Sequence, residues 1–308
     1  MVKDESKYND IYRINTNEKL DKRKVLIIIV VILIAIALLM VAKHSIDIIK
    51  YEKIYKQYEA QIIALQVAKA DEEARIKEEQ EKLKQDRLPQ LTEIGKENIA
   101  HIYSSEKKRV FLTFDDGPST QTSAILDILK EQNVKATFFV LGVNVDQKPD
   151  IVKRIYEEGH YIANHGYTHV YQSVYASPEA VLDEFNRCND SVRNAIGVIE
   201  YNSHLFRFPG GLVGGKYFDI KKQAKELLNE NGIVNVDWNA LNGDAETQTP
   251  TVEFEMERIR DTTQNKNSIV VLMHDSQTKQ ATVEALPQII IYLKEQGYEF
   301  KNFYEIIK

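Results

Sequence analysis

A single cysteine, Cys188, stands among the 308 residues, so no disulfide can form within the chain and no cysteine-based zinc site can be built. Neither G-x-x-x-x-G-K-[ST] nor G-x-G-x-x-G occurs, and nothing points to a nucleotide. Basic residues are not in excess. Forty Lys and Arg against 46 Asp and Glu give a net charge of −6, the wrong sign for a nucleic-acid partner. Residues 43–88 lack Gly and Pro, and residues 25–42 lack any charged or polar side chain.

The last two absences organise the N-terminal part of the chain. Residues 1–24 are polar and form a short tail ending in Lys19, Lys22, Arg23 and Lys24. The apolar run 25–42 is long enough to cross a bilayer, and Met40-Val41-Ala42 is a poor cleavage site, so an uncleaved single-pass anchor is expected. Positive residues stay inside, which leaves the N-terminus cytoplasmic and everything after Lys43 outside. Residues 43–88, rich in Glu, Lys, Gln and Ala, read as a helical stalk of roughly 60–70 Å. Ile48, Tyr51, Tyr55, Tyr58, Ile62 and Leu65 keep a 3-4 spacing. That spacing suits weak coiled-coil homodimerisation, and a solvated spacer suits the composition equally well. Pro89 is expected to end the helix, and residues 89–107 to link it to the remainder.

From 108 to 308 the pattern alternates. Strands are expected at 109–114, 136–141, 160–164, 204–208, 233–238, 268–273 and 298–301. Helices are expected near 120–132, 148–158, 178–197, 217–231, 251–265 and 282–296. Ser177-Pro178-Glu179 and Thr249-Pro250-Thr251 read as helix starts. Seven such units predict an α/β fold, a small incomplete (β/α) barrel.

Five strand ends carry reactive side chains. Thr113-Phe114-Asp115-Asp116-Gly117-Pro118 follows an apolar run, and adjacent carboxylates on an extended backbone point to opposite faces and can take separate tasks. His165 and His169 are four apart, the spacing that meets on one face of a helical turn, and with Asp116 they make a His-His-Asp set that leaves room for water. Arg207, in Phe206-Arg207-Phe208-Pro209-Gly210-Gly211, is suited to a bidentate grip on a carboxylate. Asp237-Trp238 marks a site wall, and Leu272-Met273-His274-Asp275 delivers a proton carrier. His160 reads as structural, Cys188 as a small core residue, and Asp244 and Glu246 as solvated loop acids.

These five stretches, in this order, resemble the polysaccharide deacetylase family, also called the NodB-homology domain or carbohydrate esterase family four. The likeness covers roughly 108–305. It implies Asp115 as general base, His274 as general acid, and Asp116, His165 and His169 as ligands of zinc, with cobalt or nickel as alternatives. It further implies that Arg207 positions Asp115, that Asp237 tunes His274, that Trp238 and Leu272 line the acetyl pocket, and that the Gly210 N–H holds the oxyanion. Gly166 and Gly210 depart from the usual pattern; the family commonly has Ser or Thr at the first and an aromatic at the second. The implied activity is metal-dependent removal of N-acetyl groups from a wall polysaccharide, with peptidoglycan N-acetylglucosamine leading. An O-acetyl esterase acting on xylan or another glycan is the alternative, and a non-catalytic glycan-binding protein the alternative of another class.

Overall fold

A computed structural model describes residues 22–308, so the expected tail lies outside the described residues except for its last three positions. Lys22–Asp86 is one continuous helix of 65 residues with none buried, and its apolar part is long and apolar enough to cross a membrane. It stops three residues before Pro89, because a proline disfavours helical geometry at the residue it follows.

A compact unit spans Gln80–Lys308. The stretch expected to be a plain linker holds a helix, Glu93–Ala100, capped by the Thr92 hydroxyl, which accepts from the Gly95 N–H at 2.9 Å. It docks on the C-terminus: the Thr92 N–H donates to the Ile307 carbonyl at 3.0 Å, and the Asn98 amide to the Ile306 carbonyl at 3.0 Å.

The unit is built on β1 (Arg109–Asp115), β2 (Thr137–Val140), β3 (Tyr161–Asn164), β4 (Leu205–Phe206), β5 (Val234–Asn235), β6 (Ala240–Leu241), β7 (Ser268–His274) and β8 (Glu299–Phe300). All pairings are parallel, in the order β5-β4-β3-β2-β1-β7-β6, with β8 also against β1. The sheet curls but does not close: β5 and β6 are its two ends. This is the incomplete barrel the sequence predicts. The short β6 was not foreseen, because two residues carry no alternation. Residues 236–239 straddle the opening. The Val236 N–H donates to the Phe206 carbonyl at 3.0 Å on one side, and the Asn239 amide to the Ser268 carbonyl at 2.9 Å on the other.

Period-two alternation sorts each strand between two cores. On β1, Val110, Leu112 and Phe114 join the outer core with the helices, whereas Phe111 joins the inner cluster. On β7, Ile269, Val271 and Met273 face outward and Val270 inward. Thr113, Asp115, Leu272 and His274 therefore continue the inward rows. The helices lie close to their expected bounds. Ser177 caps Pro178–Ile196, Thr251 caps Val252–Thr263, and Gly197 ends the former at φ 68°, where a Cβ would be strained.

Candidate active site

β1 and β7 run in register, with Asp115 paired to His274 and Thr113 to Leu272, so both rows aim into the mouth of the curl. Asp115 and Asp116 part company by a different route from simple alternation. Asp115 stays on the strand, while Asp116 adopts φ 73°, a left-handed conformation that costs a non-glycine residue energy and turns its carboxylate away from the strand.

That turn carries the Asp116 Oδ1 to 3.6 Å from the His165 Nε2 and 3.6 Å from the His169 Nε2. The oxygen is buried and accepts no hydrogen bond. Such an atom costs free energy unless something positive meets it. Among the described residues these three form the cluster able to hold a metal, and one carboxylate with two imidazoles fits a divalent ion such as zinc. The His165 Nδ1 lies 2.8 Å from the Arg207 carbonyl, and donation there leaves the Nε2 lone pair free for a metal. Burial pulls His165 down to about 3 despite the charge of Asp116, which keeps it neutral, as a ligand must be.

The two histidines do not sit on a helical turn. Residues 165–170 form a loop, and His169 itself has φ 60°. The loop is held by buried Glu184, which accepts from the Tyr167 N–H at 2.7 Å, the Thr168 N–H at 2.7 Å and the Thr168 hydroxyl at 2.9 Å. Gly166, at φ 89°, supplies the reversal.

Arg207 is fully buried, and each of its three side-chain nitrogens donates a hydrogen bond. Nε donates to the Val236 carbonyl at 2.9 Å, Nη2 to the Asp237 carbonyl at 3.1 Å, and Nη1 to the Thr113 hydroxyl at 2.8 Å and the Asp115 Oδ1 at 2.7 Å. Its guanidinium lies 4.0 Å from the Phe139 ring centre. The expected bidentate grip is a single contact, which leaves the Asp115 Oδ2 free, 3.8 Å from the His165 Nε2. Burial pushes the Asp115 carboxyl above its ordinary value, while the charges of Arg207 and His274 oppose that rise.

On the opposite side the structure corrects the sequence reading. Asp237 does not meet His274. Its carboxylate accepts from the Leu212 N–H at 3.2 Å, and its carbonyl serves Arg207. The partner of His274 is Asp244: Oδ1 lies 2.7 Å from the ring Nδ1, and Oδ2 accepts the His274 backbone N–H at 2.8 Å. Asp244 is 1% exposed and also takes the Thr282 hydroxyl at 3.1 Å, so it is no solvated loop acid. Burial works against the charged imidazole, but the bond and charge of Asp244 outweigh it and raise His274 to about 8. Asp275 braces the loop after β1 by accepting from Ser119 and Thr122, each at 2.6 Å.

Trp238 and Leu272 line the curl: Trp238 packs on the inner cluster, and Leu272, 8% exposed, precedes His274 by two on the same row. Gly210 has φ 72° in the turn closed by the Gly211 N–H donating to the Phe208 carbonyl at 2.7 Å. A Cβ at 210 would run into the hydroxyl of Tyr171, whose ring lies 5.6 Å from that of His169, so another aromatic fills this space.

Residues 103–233 match the family model described as polysaccharide deacetylase. A peptidoglycan-N-acetylglucosamine deacetylase of Bacillus cereus is 34% identical over 216 residues, 69% of this chain and 76% of that protein. A putative polysaccharide deacetylase of Bacillus subtilis is 35% identical over 208 residues, 66% of this chain and 70% of that protein. The structure of a Streptococcus mutans CE4 esterase superposes with a TM-score of 0.61 at 33% identity, covering 67% of this chain and 90% of that one.

Proposed function

For this chain, which belongs to the polysaccharide deacetylase family, we propose metal-dependent hydrolysis of N-acetyl groups on a wall polysaccharide, with peptidoglycan N-acetylglucosamine as substrate. The observation that carries the reading is the buried, bond-free Asp116 Oδ1 at 3.6 Å from both imidazoles, next in the chain to Asp115, which pairs with Arg207 and stands in register with the Asp244-bonded His274.

Asp116, His165 and His169 would hold the ion, zinc by preference with cobalt or nickel able to replace it; it would supply a Lewis acid for the acetyl carbonyl and acidify the attacking water. Asp115 accepts the proton of that water at Oδ2, the oxygen Arg207 leaves open. The Gly210 N–H receives the oxyanion. His274, charged near neutral pH by virtue of Asp244, gives a proton from Nε2 to the departing amine, which would otherwise leave as an anion. Trp238 and Leu272 shape the room for the acetyl methyl. Acetate and a free amino sugar result.

Residues 25–42 would anchor the chain, with the N-terminus cytoplasmic, residues 43–88 as stalk and the barrel outside, where its polymer is. The likeness to the Streptococcus mutans CE4 esterase supports a second reading, O-acetyl removal from a glycan by the same groups. The zinc-supplied full-length chain, given N-acetylated peptidoglycan and chito-oligomers in one arm and O-acetylated xylan in another, separates the two. Acetate from the first arm, lost in Asp115→Asn, is the expected result; acetate from the second alone selects the esterase; none from either rejects both.

A further inference from the structure

Lys221 is a buried cation that none of the steps above uses. It sits in the helix Phe218–Glu230, 5% exposed, and among the described residues it has no carboxylate within ion-pairing distance. Its Nζ donates to the Gly211 carbonyl at 2.7 Å and to the Pro209 carbonyl at 3.3 Å, and lies 4.8 Å from the Tyr175 ring centre. The Tyr175 hydroxyl donates to the same Pro209 carbonyl at 2.6 Å. Its hydrogen-bond partners are neutral, and the charge of Asp237 offsets only part of the cost of burying the ammonium, whereas a methionine would fill much of the same volume without that cost.

The carbonyl that Lys221 and Tyr175 grip belongs to the same peptide as the Gly210 N–H. In a trans peptide the two point in opposite directions, so holding the oxygen on the Lys221 side aims the N–H away from it. That N–H finds no acceptor among the described residues. Gly210 abuts the Tyr171 hydroxyl, and the Tyr171 ring adjoins His169, so the turn borders the metal cluster. A donor on the carbonyl also strengthens the N–H of the same amide, and a cation in a low-dielectric surrounding favours negative charge nearby.

We propose that Lys221 is a positioning residue for the reaction, orienting and polarising the Pro209–Gly210 peptide so that its N–H meets the oxyanion. The inference rests on the deacetylase reading above. The test is Lys221→Met and Lys221→Arg in the full-length zinc-supplied chain, measuring kcat and KM for acetate release, zinc per chain and the melting curve. Lys221→Met is expected to lower kcat by about 10- to 100-fold, less than the ~10²–10³-fold typical of losing an oxyanion donor outright. KM and zinc content should stay unchanged, and Lys221→Arg should recover most of kcat. Unchanged kcat in Lys221→Met, or a loss that merely follows zinc or folded fraction, overturns the inference. If the methionine variant does not fold, Lys221→Gln takes its place, and failure of that variant too makes the lysine structural and the inference wrong. A wild-type chain without acetate release sinks the deacetylase reading and the inference together; an active wild type matched by Lys221→Met sinks the inference alone.

Discussion

The two arms of the site handle a buried charge pair in opposite ways. On the β1 side, Arg207 touches one oxygen of Asp115 and spends its other donors on the Thr113 hydroxyl and on backbone carbonyls, so Asp115 keeps one oxygen open and a carboxyl raised by burial. On the β7 side, both oxygens of Asp244 bond to His274, one of them also taking the Thr282 hydroxyl, and the His274 imidazole is raised to about 8 against the effect of burial. The first arrangement leaves a group ready to accept a proton, and the second holds one ready to give it away. Assignments of acid and base follow from such divergent environments.

Removing the acceptor should cost most. Asp115→Asn is expected to lower kcat by about 10²–10⁴-fold, as loss of a general base does, while zinc per chain stays at the wild-type value. Equal loss of zinc would move Asp115 from base to ligand. Glu184→Gln comes next. Freed from Glu184, the loop of His165 and His169 should lose about 10- to 100-fold in zinc affinity, read by competition with a chelating dye.

Asp244→Asn probes the second arm. As the proposed general acid His274 would have to be charged, so activity should fall as pH rises through about 8. Without the Asp244 charge that alkaline limb should move to lower pH, and it should hold its position in Asp237→Asn. The reverse pattern would restore Asp237 as the partner of His274. Asp237→Asn should cost only about 1 kcal/mol of stability, the worth of one weakened hydrogen bond, read as a small drop in melting temperature.

The contrast between Asp237 and Asp244 also marks where sequence reading stops. The apolar runs of β1 and β7 announce strands, and a reactive residue at each end announces a site; those positions were legible. Asp244 was not, because an acid beside Gly243 in a loop has the look of a solvated turn, and only the three-dimensional path brings it under His274. Glu184 was hidden similarly, as one charged residue among many on a 19-residue helix. The loop form of 165–170 was misread because His-x-x-x-His has helical spacing, while the pair is assembled by left-handed backbone at Gly166 and His169 and by Glu184. The helix Glu93–Ala100 escaped notice since its value lies in contacts with residues 306 and 307, some two hundred positions away.

The proposed hydrolysis needs an ion held by Asp116, His165 and His169, and metal analysis of the purified full-length chain after dialysis against trace zinc measures whether those three residues bind one. One zinc per chain is expected in the wild type and in Asp115→Asn, and next to none in folded Asp116→Ala. Zinc retained by Asp116→Ala, or a wild-type chain that binds none, would contradict the proposal.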